Sequence, residues 1–160
     1  MDAFTVVHVV LSLLTIAAGF VVVLGMVLRQ QVDRWTGPFL LGAAATSITG
    51  FLFPFHGFTP AIGLGIISLP VLGLATLARY FGHLKGRCRW IHVIAVATSL
   101  YFNVFVLVVQ LFEKTPALKA LAPTQSEPPF FIAQLIVLAT FVVLSGAASL
   151  RFRTPLANKR

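Results

Sequence analysis

Charged residues are scarce in this chain, and acidic residues most of all. Only 10% of the 160 residues are charged, and four are Asp or Glu, whereas soluble domains have about 25% charged residues. A single cysteine, Cys88, excludes a secreted domain held by disulfides. Hydrophobic residues make up 58% and the mean hydropathy is +0.96, which excludes a disordered chain. The composition therefore indicates a polytopic membrane protein.

Catalytic signatures are also missing from the sequence. It contains no G-x-x-x-x-G-K-[ST], G-x-G-x-x-G, H-E-x-x-H or G-x-S-x-G motif, each of which serves nucleotide binding or hydrolysis. No group of His, Cys, Asp and Glu has the spacing of a zinc site, so we predict no metal ion. The question of enzymatic activity stays open, and a non-enzymatic role fits the sequence better.

Five apolar segments are each long enough to cross a bilayer, which takes roughly 20 helical residues. They cover about residues 4–28, 37–54, 60–81, 90–112 and 129–150. We predict a single all-α domain of five transmembrane helices over residues 1–160. Gly42, Thr46 and Gly50 recur at four-residue intervals, which favours close helix packing and predicts that the second span is central. Pro70 predicts a kink in the third span.

The basic residues are grouped between the apolar segments. Of the twelve Lys and Arg residues, all but Lys114 and Lys119 fall in three clusters, at 29–34, 79–89 and 151–160. Lys and Arg collect in cytoplasmic loops, so we predict the N-terminus outside and the C-terminus in the cytoplasm. The net charge of +8 follows from this topology, and we expect no nucleic-acid partner.

Polar side chains recur along the predicted spans at helical spacing. His92, Ser99, Asn103 and Gln110 are separated by seven, four and seven residues, which places them on one face of span four. Polar groups inside a membrane are costly and often functional. We predict a pocket in the outer half of the bundle that binds or passes a small neutral or lipophilic ligand. Its predicted lining consists of His8, His56, Asn103, Gln110 and Gln134.

A bland alternative is that these groups only form hydrogen bonds between neighbouring helices, which membrane proteins use for adhesion. A third hypothesis is an accessory structural subunit, whose partner is another membrane protein or a second copy of this chain. The predicted external connection, 113–128, contains a proline-bounded stretch at 116–123. We expect a short interfacial turn there, which forms a lid over the outer face.

The four histidines support an electron-transfer alternative. His8 and His56 lie near the predicted outer face, and His83 and His92 lie near the cytoplasmic face. Two histidine pairs, one for each face, are the layout of a transmembrane b-type cytochrome. The alternative is therefore a carrier linked to haem b or quinone, with His8, His56, His83 and His92 as axial ligands.

Two segments of the chain resemble segments of a known group of proteins. Residues 106–112, 116–118 and 121–130 form one segment, and residues 49–55 with 57–60 form the other. They are similar to segments of small five-span bacterial inner-membrane proteins for which no activity is established. The resemblance implies a location in the bacterial inner membrane, and it assigns no site residue.

Overall fold

The computed structural model describes residues 3–53 and 60–152, and these residues are almost entirely helical. Their α-helices are α1 Ala3–Val27, α2 Asp33–Gly50, α3 Pro60–Thr76, α4 Arg87–Lys114, α5 Pro116–Leu121 and α6 Pro128–Arg151. A π-helical turn, Leu77–Phe81, continues α3. No β-strand occurs within these two ranges, so the prediction of an all-α chain is confirmed for them.

Four helical segments are long and apolar enough to cross a membrane. They are Ala3–Val27, Ile62–Phe81, Arg87–Lys114 and Pro128–Arg151. The remaining long helix, α2, has 18 residues and begins with the charged residues Asp33 and Arg34. The segment that ends at Phe81 stays helical through Pro70 and includes the π-helical turn. These four segments give the chain the character of a membrane protein.

The centre of the bundle is α4. It packs against α1, α2, α3 and α6, and nine of its residues are buried, compared with four in α2. The prediction that the second span is central is therefore wrong. The reason is that four helices surround α4, so that side chains such as Val96 and Leu100 are fully buried, whereas small residues of α2 such as Gly42 serve its close approach to α1.

Contacts between α1 and α2 extend along the whole length of the pair. His8 meets Thr49 near one end. Gly42 faces the side chain of Thr15 near the middle, and Gly25 faces Val32 at the other end, so closely that a methyl group on either glycine would overlap its neighbour. Since little hydrophobic force drives helices together in lipid, such close backbone approach is what holds them.

The described residues of the three basic segments lie at one end of the bundle. Asp33, at the start of α2, forms an ion pair of 2.7 Å with Arg79 in the π-helical turn. Arg89, at the start of α4, donates a hydrogen bond to the carbonyl oxygen of Phe152, just after α6. The basic segment before α2, the one between α3 and α4, and the end of α6 therefore meet. The opposite end carries α5.

We predict that Gly19→Ala destabilises the bundle. A Cβ atom at Gly19 would lie 2.5 Å from Cδ1 of Leu100 and 2.7 Å from Cε2 of Phe39. Both neighbours are fully buried, so they cannot move aside, and overpacking of this kind costs roughly 1–3 kcal/mol. Thermal unfolding of the full chain in detergent measures the effect. Gly146→Ala is the matched control, because nothing lies within 4 Å of the added methyl group, and equal stability of the two variants would contradict the prediction.

Candidate functional site

Four of the five residues predicted to line an outer pocket can be located, and His56 lies outside the described residues. His8 is half-buried on α1, Asn103 and Gln110 are half-buried on α4, and Gln134 is buried on α6. All four lie toward the end of the bundle that carries α5, as the sequence predicts. Two of them, His8 and Gln134, form hydrogen bonds to another helix.

His8 joins α1 to α2. Its Nδ1 lies 2.8 Å from the hydroxyl oxygen of Thr49, and that hydroxyl itself donates to the carbonyl oxygen of Ala45 at 2.7 Å. The imidazole N–H is therefore the donor to Thr49, which leaves Nε2 as the acceptor in the neutral ring. The ring of Phe53 packs edge-on against the imidazole, with 5.0 Å between the centroids.

Gln134 forms a hydrogen bond between α6 and α4, whereas the hydrogen bond of Asn103 stays within α4. Asn103 donates to the carbonyl oxygen of Ser99 in its own helix, at 2.9 Å. Gln134 donates from Nε2 to the carbonyl oxygen of Phe105 on α4, at 3.2 Å. The Oε1 atom of Gln134 is buried and has no hydrogen-bond partner. The bonds between helices therefore fall at two separate contacts, that of His8 between α1 and α2 and that of Gln134 between α4 and α6.

A groove lies between the middle parts of α4 and α6. Its volume is about 220 Å³, and its wall consists of Ala97, Thr98, Tyr101, Leu138, Phe141, Val142 and Ser145. The rings of Tyr101 and Phe141 pack at 5.8 Å between centroids. Three of the wall residues carry hydroxyl groups, and the others are apolar. The groove can therefore hold an apolar molecule and offer hydrogen bonds to one polar group on it.

The connection between α4 and α6 folds back on the end of α4. The side chain of Gln125 donates from Nε2 to the carbonyl oxygen of Val109 at 3.2 Å. Ala122 is buried in a small cluster with Phe112 and Phe130, whose rings pack edge-on at 5.4 Å. The expected short turn is present as α5, and the segment covers the end of the α4–α6 contact that lies away from the basic end.

Glu127 fixes the last turn of this connection. Its carboxylate accepts hydrogen bonds from the hydroxyl of Thr124 at 2.9 Å, from the amide of Thr124 at 3.2 Å and from the amide of Ser126 at 3.1 Å. Desolvation alone raises the pKa of Glu127, but these bonds lower the pKa by more, so it lies below its ordinary value. The carboxylate is therefore ionised at neutral pH and holds the turn.

A second polar cluster lies at the basic end of the bundle. His92 is fully buried, and its Nδ1 donates to the carbonyl oxygen of Ala75 on α3 at 2.8 Å. This bond leaves Nε2 as the unprotonated nitrogen of the neutral ring, and Nε2 has no partner in the described chain. The Asp33–Arg79 ion pair is close enough to act electrostatically on the imidazole. The sequence pattern did not show this cluster.

His83 differs from His92 in its surroundings. It is exposed in the connection before α4, with a positive φ of 49°. Among residues 3–53 and 60–152, no three His, Cys, Asp or Glu side chains are grouped closely enough to hold a metal ion. Of the two histidines predicted at this face, only His92 presents a buried nitrogen to the interior.

Sequence reasoning missed the groove and the partners of His92. Ser145 had a signal in the sequence, since it repeats with Ser149 at a four-residue spacing, but that spacing equally indicates simple packing. Nothing in the sequence singled out Tyr101, because aromatic residues are common within apolar spans. The carbonyl of Ala75 is a backbone group, so no residue type could reveal it.

Comparisons with known proteins leave the chain without an assigned relative. No family model matches it, no curated protein matches it, and no solved structure matches it. The resemblance to small bacterial inner-membrane proteins therefore stays a prediction, and the function has to be argued from the geometry.

We predict that Thr49→Val weakens the contact between α1 and α2. The change removes the acceptor of the His8 N–H group, and hydrogen bonds between membrane helices are worth about 0.6 kcal/mol on average. Unfolding of the full chain in detergent measures the loss, and the ¹⁵N shifts of His8 report its lost bond. Thr140→Val is the control, because Thr140 is exposed and bonds only to Ile136 in its own helix. Unchanged His8 shifts in Thr49→Val would contradict the assignment.

Proposed function

We propose that this protein is a polytopic membrane protein that binds a small lipophilic molecule in the groove between α4 and α6. The groove is the observation that carries the proposal. Its wall is formed by seven residues, of which four, including Leu138, Phe141 and Val142, have apolar side chains. The hydroxyls of Thr98, Tyr101 and Ser145 supply hydrogen bonds for one polar group of the ligand.

The size of the groove limits the ligand. A cavity of about 150 Å³ in a protein core holds benzene, and this groove has about 220 Å³. A substituted ring or a short branched chain fits this volume. The aromatic rings of Tyr101 and Phe141 favour a planar ring, because aromatic faces and edges attract each other. The proposed ligand is therefore a ring compound with a hydrogen-bonding substituent and an apolar tail.

The ligand reaches the groove from the bilayer. Val142 is 63% exposed, so the wall of the groove continues into the apolar surface of α6. A lipophilic molecule concentrates in the bilayer and approaches this surface without crossing water. No loop has to open for the ligand to enter.

Of the residues predicted to line an outer pocket, Gln134 lies in line with this groove. Gln134 lies four residues before Leu138 on α6, and Phe105 lies four residues after Tyr101 on α4, so both are one turn farther along the same contact. The unpartnered Oε1 of Gln134 is a hydrogen-bond acceptor for a ligand hydroxyl at that level. Of the residues predicted from the sequence, Gln134 therefore supports the proposal most directly.

We further propose that α2 is a fifth membrane span. At 1.5 Å per residue its 18 residues measure about 27 Å. Contacts along the pair extend from the His8–Thr49 bond at one end to the contact of Gly25 with Val32 at the other. The charge of Asp33 is paired with Arg79 at the basic end. Five spans, with the basic end in the cytoplasm and the N-terminus outside, fit a bacterial inner-membrane protein.

The test uses a diazirine-labelled alkylphenol as the probe for the full chain in proteoliposomes. We predict saturable labelling of peptides from 97–105 and 138–145, competed by the unlabelled alkylphenol. Val142→Phe fills the groove and should reduce the saturable labelling several-fold. Val143→Phe is the control, because Val143 is similarly exposed, at 69%, but does not line the groove. Equal labelling of the two variants would overturn the proposal.

An electron-transfer role is the second candidate, and His92 is the observation that favours it. A histidine ligand of haem iron or another metal usually donates its other N–H to a carbonyl or carboxylate, as His92 does to Ala75. We predict for this candidate a Soret band in the purified protein that shifts on reduction. His92→Ala should abolish the band and His83→Ala should keep it. A colourless protein from haem-replete cells would rule this candidate out.

A further inference from the structure

The basic end of the bundle carries charges that the protein itself does not compensate. Five of its basic side chains are exposed, and none of them forms an ion pair within residues 3–53 and 60–152. We call them the basic face: Arg29, Arg34, Lys85, Arg87 and Arg151. Asp33 is the one acidic residue at this end within the described ranges, and Arg79 already pairs with it at 2.7 Å.

The opposite end of the bundle has no such excess. Its described basic residues are Lys114 and Lys119, and its described acidic residues are Glu113 and Glu127. Two positive and two negative charges therefore cancel at that end. Positive charge is therefore concentrated on one end, and a negatively charged partner fits that end.

Short, hydrogen-bonded turns fix the backbone that carries the basic side chains. In the turn before α4, the amide of Leu84 donates to the carbonyl of Ala78 at 3.2 Å, and the Leu84 side chain is buried. The turn ends at Gly86, whose φ of 51° suits a residue without a side chain. Lys85 and Arg87 lie on either side of Gly86, and both are exposed. Little chain ordering is then required when a partner binds.

The turn between α1 and α2 is anchored in the same way. The amide of Gln30 donates to the carbonyl of Gly25 at 2.8 Å, and Val32 is buried against Gly25. Arg29 lies within this turn and Arg34 lies at the start of α2, and both are exposed. Both basic turns are thus built on a buried apolar residue.

Aromatic side chains mark the depth of the basic face. Trp35 and Trp90 are 50% and 40% exposed, and both lie next to basic residues. The guanidinium of Arg89 sits over the Trp90 ring at 5.0 Å from its centroid. Trp and Tyr favour the headgroup level of a bilayer. The exposed cations therefore lie at the depth of lipid phosphates and not in open water.

We propose that the basic face binds the phosphate groups of anionic phospholipids. The argument combines uncompensated charge, anchored turns and headgroup depth, and it is independent of the groove between α4 and α6. Clusters of basic residues at the end of membrane helices attract anionic headgroups, and the attraction weakens as salt rises. A soluble anion meets the same charge but gains nothing from the adjacent apolar surface.

The test is native mass spectrometry of the full chain from detergent micelles, titrated with phosphatidylglycerol or phosphatidylcholine of the same acyl chains. We expect retained phosphatidylglycerol, with retention that falls as salt rises. The double variant Lys85→Gln/Arg87→Gln should weaken phosphatidylglycerol binding by about thirty-fold. Lys114→Gln/Lys119→Gln removes the same charge from the opposite end and is the matched control, for which we expect unchanged binding.

Three results would overturn the proposal. Equal retention of the two lipids would show that charge is not recognised. Equal loss in the two double variants would show that the location of the charge is irrelevant. Displacement of phosphatidylglycerol by millimolar inorganic phosphate would indicate a site for free phosphate. Because all four substituted residues are exposed, matched unfolding temperatures can verify that both variants fold.

Discussion

The close approach of three helices around Gly19 is the constraint on which the rest of the bundle depends. The absence of a side chain on Gly19 lets Phe39 of α2 and Leu100 of α4 fill the space beside α1. In lipid, helices gain little from hiding apolar surface, so dispersion contacts at this short range have to hold them. With α1, α2 and α4 fixed, α3 and α6 pack on the remaining sides of α4.

Polar side chains in this bundle have different hydrogen-bond or ion-pair partners at its two ends and in its middle. Near the end that carries α5, His8 and Gln134 each bond to a neighbouring helix and so serve helix packing. At the basic end, the Asp33–Arg79 pair neutralises two charges close to buried His92. The middle of the α4–α6 contact lacks such cross-links, and there the helices leave a groove. Along α4 and α6, the helices are thus joined by a hydrogen bond at one level and separated by a groove at the next.

Part of the candidate site could be predicted from residue types alone. The placement of Gln134 on the buried side of α6 follows from the cost of leaving an amide in lipid, and so does the half-burial of Asn103. Their partners could not be predicted, because Ser99 and Phe105 contribute backbone carbonyls. The spacing of polar residues indicated which face of α4 is polar, but it did not indicate that α4 is the central helix. The position of a helix in the bundle depends on which helices surround it.

By itself, the sequence determined the helical class, the long apolar helices and the grouping of basic residues into three segments. Each follows from local physics, since length, hydropathy and charge act on a segment whatever its neighbours are. Only the tertiary structure decided that α4 is central, that α2 runs along α1, and that a groove opens beside Tyr101. These features depend on how side chains from distant segments fill shared space. The type of a single residue does not indicate which distant side chains it will contact.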